Sequence, residues 1–117
     1  MISEISNRQV YLACGSTDLR KSIDGLAVLV KETFALDPFS PCLFVFCNRK
    51  RDKIKILQWD HNGFWLHYRR LERGKFDWPT AKTDVINNSY REFRWLLDGL
   101  SVKQNQAHKA VKQRTIL

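Results

Sequence analysis

The stretch KIKILQWDHNGFWLHYRRL, residues 53–71, predicts a β-hairpin at the centre of the fold. Two runs rich in Ile, Leu, Trp, Phe and Tyr flank Asn62-Gly63. Asn-Gly is the strongest short-range hairpin signal, because both central residues of a type I′ turn need a positive φ. We therefore expect Asn62 and Gly63 to form the turn, with Trp59 paired to Leu66 across it.

Each face of the predicted hairpin has an apolar end near the turn and a basic end away from it. Side chains alternate between the faces of a strand. One face then carries Lys53, Lys55, Leu57, Trp59, Leu66, Tyr68 and Arg70. The other face carries Ile54, Ile56, Gln58, Trp65, His67, Arg69 and Leu71. The loop at 48–53, NRKRDK, enters the hairpin at its basic end, so one segment supplies both β-scaffold and cationic surface.

Size and charge indicate a small globular protein with a polyanionic partner. The chain has 117 residues, of which 44% are hydrophobic and 12% aromatic, which excludes a disordered polypeptide. Its net charge of +8 is uneven: residues 49–82 hold ten Lys or Arg against four Asp or Glu, and residues 1–48 hold four against five. This balance favours nucleic acid first and an anionic membrane second, the alternative being a solvated basic surface.

Other sequence classes are excluded by simple patterns. No apolar run approaches the roughly 18 residues of a membrane span, and the N-terminus lacks the regions of a signal peptide. Cys14, Cys42 and Cys47 match no CxxC spacing, so we expect reduced thiols that act as small hydrophobes. We predict a cytoplasmic protein without a metal site or cofactor.

The flanking segments complete the expected fold. Val10–Cys14 predicts a short strand, and the apolar stripe from Leu19 to Phe34 predicts a helix over 19–35 that begins after the cap residues Gly15-Ser16-Thr17-Asp18. The apolar run Leu43–Cys47 predicts a strand covered on both faces. Phe76–Trp78 predicts a short edge strand, and Val85-Ile86 a brief extended piece.

The C-terminal part ends the predicted domain. Ser89 and Glu92 match a capping box that opens a helix over 90–98, and Gly99 follows where a C′ glycine belongs. We expect one α+β domain at 1–100, with a mainly antiparallel sheet built on the central hairpin and two packing helices. Residues 101–117 are predicted to be a basic C-terminal tail or short helix.

Catalytic chemistry has little support in the sequence. Seven acidic residues, Asp18, Asp24, Asp52, Asp60, Glu72, Asp77 and Asp84, lie where turns and helix starts are predicted, which is where solvated carboxylates are common. His61 and His67 are interpreted as turn and strand residues. No GxSxG or HExxH pattern is present. We expect no enzyme; a metal nuclease would need three carboxylates brought together by the fold.

Basic residues supply the candidate DNA site. Nine of them are predicted to contact phosphates along one edge of the sheet: Arg49, Lys50, Arg51, Lys53, Lys55, Arg69, Arg70, Arg73 and Lys75. Arg20 and Lys21 are predicted as a secondary contact for an anion or a partner. Exposed aromatic rings can stack on unpaired bases; the interleaved rings are Trp59, Trp65, Tyr68, Phe76 and Trp78. Because Trp on a hairpin is commonly core, the charges support a DNA site better than the rings.

Three ordered segments resemble one bacterial family. They are VYLACGSTDLRKSIDGLAVLV at 10–30, LFVFCNRKRDKIKILQWD at 43–60 and GFWLHYRRLERGKFDWP at 63–79. The resemblance is to the TnpB accessory proteins from the second open reading frame of insertion sequence 66 type elements. It covers about residues 10–100, and SYREFRWLLDGL at 89–100 is similar to the closing helix of the family. The tail after Ser101 lies outside it.

The resemblance implies a non-catalytic role in transposition, beside a larger DDE-type transposase that performs the strand chemistry. The positions that match the recurrent polar signature of the family are Thr17, Asp18, Arg20, Lys21, Asp24, Asp52, Lys55, Asp60, Arg70 and Glu72. Expected partners are DNA, from the distribution of charge, and the transposition proteins of the same element, from the resemblance; no membrane partner is expected. The rival hypothesis is a protein-interaction module that docks on the transposase and never contacts DNA; a contiguous exposed aromatic patch with evenly spread charge would favour it.

Overall fold

A five-stranded sheet with the strand order β4-β3-β2-β1-β5 forms the centre of the fold. The computed structural model describes residues 8–99, so the predicted tail at 101–117 lies outside the described residues. The strands are β1 Gln9–Ala13, β2 Leu43–Cys47, β3 Lys53–Asp60, β4 Gly63–Arg70 and β5 Val85–Ser89. Helix α1 spans Ile23–Val28 and continues as a π-helical turn, Leu29–Thr33, and helix α2 spans Tyr90–Leu97.

Three of the four strand pairings are antiparallel, and only β1 and β2 run parallel. The α1 segment makes the crossover between these two strands, which a parallel pair requires. This architecture confirms the predicted α+β class with a mainly antiparallel sheet on a central hairpin and two helices.

The hairpin has the predicted faces but a different register. Trp59 pairs with Phe64 and Leu57 with Leu66, two residues away from the expected pairing. Because side chains alternate with a period of two, this shift leaves every residue on its predicted face. The turn residues are His61 and Asn62, and the positive φ of 59° falls on His61, while Gly63 belongs to β4. Directly opposed Trp59 and Phe64 rings, with centroids 5.0 Å apart, favour the observed register.

Helix α1 begins at Ile23, so the predicted start at Leu19 is wrong. Asp18 does not cap a helix at this point; its carboxylate accepts the backbone N–H of Arg20 at 3.0 Å and pairs with the guanidinium of the same residue. The first helical hydrogen bond runs from the N–H of Leu26 to the carbonyl of Ser22. Leu19 still packs beside the helix from the turn that precedes it.

Phe76–Trp78 is not an edge strand, which is a second correction. Both rings are buried under the sheet, and the Trp78 indole N–H donates to the carbonyl of Ala13 at 2.7 Å. The edge strand beside β1 is instead β5, which pairs antiparallel with β1. It extends the piece that the sequence predicted at Val85-Ile86. Burial therefore holds residues 76–78 as a loop across the sheet face rather than as a further strand.

The capping box at the start of α2 is present as predicted. The Ser89 hydroxyl accepts the Glu92 backbone N–H at 3.1 Å, and the Glu92 carboxylate accepts the Ser89 N–H at 2.8 Å. Gly99 has a φ of 93°, the left-handed conformation expected just after a helix. The sequence thus indicated both ends of this helix.

Two cores lie on opposite faces of the sheet. On one face, α1 packs through Leu26, and the π-helical turn through Val30, onto Phe44, Phe46 and Leu57. On the other, α2 and the 71–78 loop cover the sheet, and the buried residues are Val10, Leu12, Leu43, Val45, Cys47, Ile54, Phe76, Trp78, Phe93 and Leu96. All five residues of β2 are buried, which confirms the prediction of a strand covered on both faces.

The structure also bears on two expectations from the sequence, that the cysteines act as small hydrophobes and that no segment spans a membrane. Cys14, Cys42 and Cys47 are all free thiols, and burial raises the pKa of Cys47 to about 12, so it behaves as a small hydrophobe. Neither helix within residues 8–99 has the length and apolarity that crossing a membrane would require.

Candidate nucleic-acid interface

Strand directions bring the basic loops of the chain to one end of the sheet. The C-termini of β1, β2 and β4 and the N-termini of β3 and β5 meet there, because β1 and β2 are parallel and the other pairings are antiparallel. We call this surface, residues 14–22, 48–53 and 69–84, the basic end. It holds eleven Lys or Arg against five Asp or Glu. All of the predicted DNA-contacting residues except Lys55 belong to it.

Backbone hydrogen bonds join the loops of the basic end to one another and to the strands. Their N–H to carbonyl pairs are Cys14 to Asp84 at 2.9 Å, Gly15 to Pro79 at 3.0 Å, Thr17 to Cys47 at 2.7 Å, Leu71 to Asp52 at 2.7 Å and Phe76 to Arg51 at 2.7 Å. Because these bonds use only main-chain atoms, they fix the loops without occupying the charged side chains. The cations of these loops are therefore carried on a well-defined framework.

The β2–β3 loop owes its shape to Asn48. Its side-chain oxygen accepts the backbone N–H groups of Asp52 and Lys53 at 3.1 and 3.0 Å, and its amide donates to the Asp52 carboxylate at 2.7 Å. This last bond lowers the pKa of Asp52. Arg51 closes the turn with a φ of 62°, a conformation that most side chains disfavour. Arg49, Lys50 and Arg51 project from this loop as exposed residues.

The cations of the basic end divide into paired and unpaired groups. Arg20 makes a two-pronged contact with Asp18 at 2.7–3.1 Å, which lowers the pKa of Asp18. Arg70 pairs with Glu72 at 2.8 Å, which raises the pKa of Arg70. Lys53 lies 3.4 Å from Asp52. Within the described residues, eight exposed cations of the basic end make no ion pair and no side-chain hydrogen bond: Lys21, Arg49, Lys50, Arg51, Arg69, Arg73, Lys75 and Lys82.

Lys55 has a structural contact that the sequence did not reveal. Its ammonium donates to the backbone carbonyl of Leu19 at 2.6 Å and lies 3.3 Å from that of Lys21. The two residues belong to the turn that replaces the predicted first helical turn. Lys55 thus anchors the segment that carries Arg20 and Lys21, the predicted secondary contact, and its role at phosphate stays a prediction.

Only one of the five interleaved aromatic residues presents an exposed ring beside the basic end. Phe76 and Trp78 are core residues, and Trp59 lies at the far end of the hairpin. Trp65 is half exposed, but it lies on the α2 face, stacked on His67 and donating to Asp60. Tyr68 is 55% exposed on the α1 face, next to Lys55 in the strand register.

A surface depression lies beside Tyr68. It runs between the turn at 19–20 and the start of β3, and Arg20, Asn48, Lys53, Lys55 and Tyr68 line it together with Asp18 and Leu19. A neighbouring depression continues it past Arg49 and Lys50. Cationic walls of this kind attract anions and concentrate them. Sequence spacing could not indicate it, because its walls come from segments more than thirty residues apart.

Three of the five acidic residues at the basic end are engaged with cations or amides. Asp18, Asp52 and Glu72 contact Arg20, Asn48 and Arg70 respectively. In the part of the chain that the structure describes, no group of three or more His, Cys, Asp or Glu side chains is placed to hold a metal ion.

The far end of the sheet carries a second surface feature. Phe39, Trp59 and Phe64 form a cluster in which ring centroids lie 4.9–5.4 Å apart. We call it the aromatic tip. Phe39 is 56% exposed and comes from the loop between α1 and β2. Sequence reasoning missed this cluster, because the contribution of Phe39 depends on where its loop crosses the hairpin.

Comparisons with known proteins give one family model and two relatives that cover most of the chain. The model of a family described as "IS66 Orf2 like protein" matches residues 8–107, six residues beyond the expected limit at Ser101. The uncharacterized protein y4hO of Sinorhizobium fredii is 35% identical over 106 residues, 91% of this chain and 92% of that protein. The uncharacterized protein y4jC of the same organism is 32% identical over 100 residues, 86% of each chain. No solved structure gives a significant match. The chain therefore belongs to the IS66 Orf2-like family.

Proposed function

We propose that this protein is a non-catalytic accessory protein of insertion-sequence transposition that binds DNA through its basic end. Membership in the IS66 Orf2-like family supports the association with such an element. In this proposal the protein acts in the cytoplasm, and the separate transposase of the element performs the strand chemistry. The observation that carries DNA binding is the set of exposed, unpaired cations on loops that backbone hydrogen bonds hold in place.

In this proposal the unpaired cations of the 49–51 loop are the main contacts for duplex phosphates. Arg49, Lys50 and Arg51 have no carboxylate to release before they meet a phosphate, whereas Arg20 and Arg70 each have one. Each phosphate that a cation neutralises releases counterions, so binding weakens with salt in proportion to the number of contacts. The 49–51 loop should therefore account for a large part of the salt dependence.

A salt titration of DNA binding tests this proposal. Fluorescence anisotropy would measure the affinity for element-end duplex and random duplex over a range of salt concentrations. We expect Arg49→Ala/Lys50→Ala/Arg51→Ala to reduce the slope of log K against log salt by about 2 to 3, at about 0.9 for each lost phosphate contact. Tighter binding to element ends than to random DNA would add sequence recognition.

A matched control separates this surface from net charge. Lys31→Ala/Arg91→Ala/Arg94→Ala also removes three positive charges, but from exposed positions outside the basic end. This control should keep the salt slope of the wild type. Equal slopes for both triple variants would show that the 49–51 loop is not the contact.

The aromatic tip supports a second candidate function, docking on another protein of the element. Exposed aromatic residues are common binding hot spots, and Phe39 is exposed within a three-ring cluster. The charge is concentrated at the opposite end, however, so the two surfaces do not exclude one another. Absence of binding to either duplex at low salt would favour this candidate, and capture of the purified transposase by wild type but not by Phe39→Ala would support it.

A further inference from the structure

We infer that the depression beside Tyr68 binds an unpaired nucleotide of single-stranded DNA, with the base stacked on the Tyr68 ring and the adjacent phosphate at Lys53 and Arg20. This inference rests on the proposed function and narrows its ligand from DNA in general to single-stranded DNA. The juxtaposition that carries it is one exposed ring beside a cationic depression whose shape is already held by a hydrogen bond.

Tyr68 has no evident packing role. Tyr68 lies on the same face as Leu66 and Phe64, which pack against the α1 core. Tyr68 itself is nevertheless 55% exposed. Among residues 8–99 its ring makes none of the aromatic contacts that the rings of Trp59, Trp65 and Phe64 make. A large ring that is open to solvent and lies beside cations is the arrangement by which proteins stack unpaired bases.

The surroundings of the ring suit a nucleotide. Lys55 is the direct cross-strand neighbour of Tyr68. Lys53 and Arg70 are the next cross-strand neighbours on the same face of the hairpin. Arg20, Asn48 and Lys53 line the same depression as Tyr68. A base on the ring would therefore have its phosphate within a cationic wall.

The depression is built before any ligand arrives. The Lys55 ammonium fixes the carbonyl of Leu19 at 2.6 Å, so the turn that carries Arg20 stands at a set distance from β3. Preorganised sites bind more tightly because the ligand need not order them. Asp18 also lines the depression, but it is engaged with Arg20 in an exposed pair, and exposed pairs exchange partners readily.

Stacking distinguishes the two forms of DNA. In a duplex the faces of the bases are covered by their neighbours, so Tyr68 would gain nothing from them. In a single strand each base presents an open face, and stacking on an aromatic side chain contributes about 1–3 kcal/mol per base. The Tyr68 ring should thus matter for single strands and not for duplexes.

The test compares Tyr68 variants on two probes, oligo-thymidylate of about 12 nucleotides and a duplex of matched length. We expect Tyr68→Ala to weaken binding to the single strand by about 5- to 100-fold and binding to the duplex by less than about twofold. Tyr68→Phe keeps the ring and should bind like the wild type. Trp65→Ala, which removes an equally exposed ring from the other face of the same strand, should leave both affinities unchanged.

Several outcomes would overturn the inference. They are an equal loss on both probes, no loss on either probe, a Tyr68→Phe variant as weak as Tyr68→Ala, or tighter binding of oligo-uridylate than of oligo-thymidylate. Circular dichroism and thermal unfolding would establish that each variant is folded. Failure of the proposed function has a different signature, since the wild type would then bind neither probe. If duplex binding depends on salt and on the 49–51 loop while Tyr68 has no effect, only the inference fails.

Discussion

The two ends of the central hairpin are built on different physical principles. At the basic end, backbone hydrogen bonds hold the loops and leave the charged side chains exposed. At the aromatic tip, the rings of Phe39, Trp59 and Phe64 hold one another by contact. A surface that is held largely through its backbone thus leaves most of its charged side chains available to a ligand.

The separation of the ends predicts independent behaviour. Substitutions that share no partners and lie far apart usually have additive effects on stability. Variants at the aromatic tip should therefore change stability without changing DNA affinity, whereas loss of a positive charge in the 49–51 loop should weaken DNA binding whatever it does to stability.

Trp78→Ala should cost the most stability, about 3–5 kcal/mol in the free energy of unfolding. The ring is buried beneath the basic end, and its indole donates to the Ala13 carbonyl at 2.7 Å. Urea denaturation would measure the loss. Trp78→Phe retains most of the packing and should cost only about 1–3 kcal/mol, because it leaves the Ala13 carbonyl without its donor. Equal costs for the two variants would show that packing of this ring is not the main contribution.

Trp59→Ala should destabilise the protein by about 2 kcal/mol, less than a fully buried aromatic because Trp59 is half-buried. It loses ring contacts to Phe39 and Phe64 at 4.9 and 5.0 Å. The affinity for duplex DNA should stay within about twofold of wild type, measured at a temperature where the variant is folded. A loss of DNA affinity similar to that of the 49–51 triple variant would show that the two ends of the hairpin do not act independently.

Arg51→Gly should raise stability by about 1 kcal/mol while it weakens DNA binding. Arg51 has a φ of 62°, which glycine adopts without strain. Lys50→Gly is the matched control, since it removes the same charge from the same loop at a residue with negative φ. We expect the two variants to lose similar DNA affinity but to differ in stability, as thermal unfolding would measure. A stabilised Lys50→Gly would contradict the conformational explanation.

The smallest effect should come from His67, which lies on the face opposite Tyr68. Burial lowers the pKa of His67, and the ring hydrogen-bonds to the buried Gln58 at 2.8 Å. The unfolded chain therefore binds the proton at a higher pH than the folded chain does. Its contribution to stability is present above about pH 6.5 and is lost as the pH falls from there through the folded-state pKa.

Melting temperatures of wild type and His67→Gln at about pH 7.5 and about pH 5.5 would measure this contribution. The wild type should lose more than the variant, by less than about 4 °C because the ring is only partly buried. An identical pH dependence of the melting temperature in the two proteins would show that His67 does not contribute to it.

The sequence predicted the parts of the fold that depend on neighbouring residues. Strand β2 followed from its apolar run, α2 from the Ser89 and Glu92 capping box, and the hairpin faces from the alternation of side chains. The start of α1 was wrong because Asp18 bonds to Arg20 and Lys55 holds the Leu19 carbonyl. The prediction of a strand at 76–78 was wrong because burial beneath the sheet takes precedence over the local extended pattern.

The candidate site was only partly accessible to sequence reasoning. The charge asymmetry between residues 1–48 and 49–82 pointed to the right part of the chain. It could not distinguish Arg49 to Arg51, which are unpaired, from Arg70, which Glu72 engages. It also treated five aromatic residues alike, although only Tyr68 is exposed beside the basic end.

By itself, the sequence determined the period of each strand, the capping of α2 and the excess of positive charge, because each depends on residues close together in the chain. The tertiary structure alone decided that loops 14–22, 48–53 and 69–84 meet at one end, because this depends on strand order and direction. Two contacts show the reason: Lys55 reaches Leu19 across 36 residues, and Trp78 reaches Ala13 across 65. No local pattern encodes such pairs, since they form only when the sheet brings the segments together.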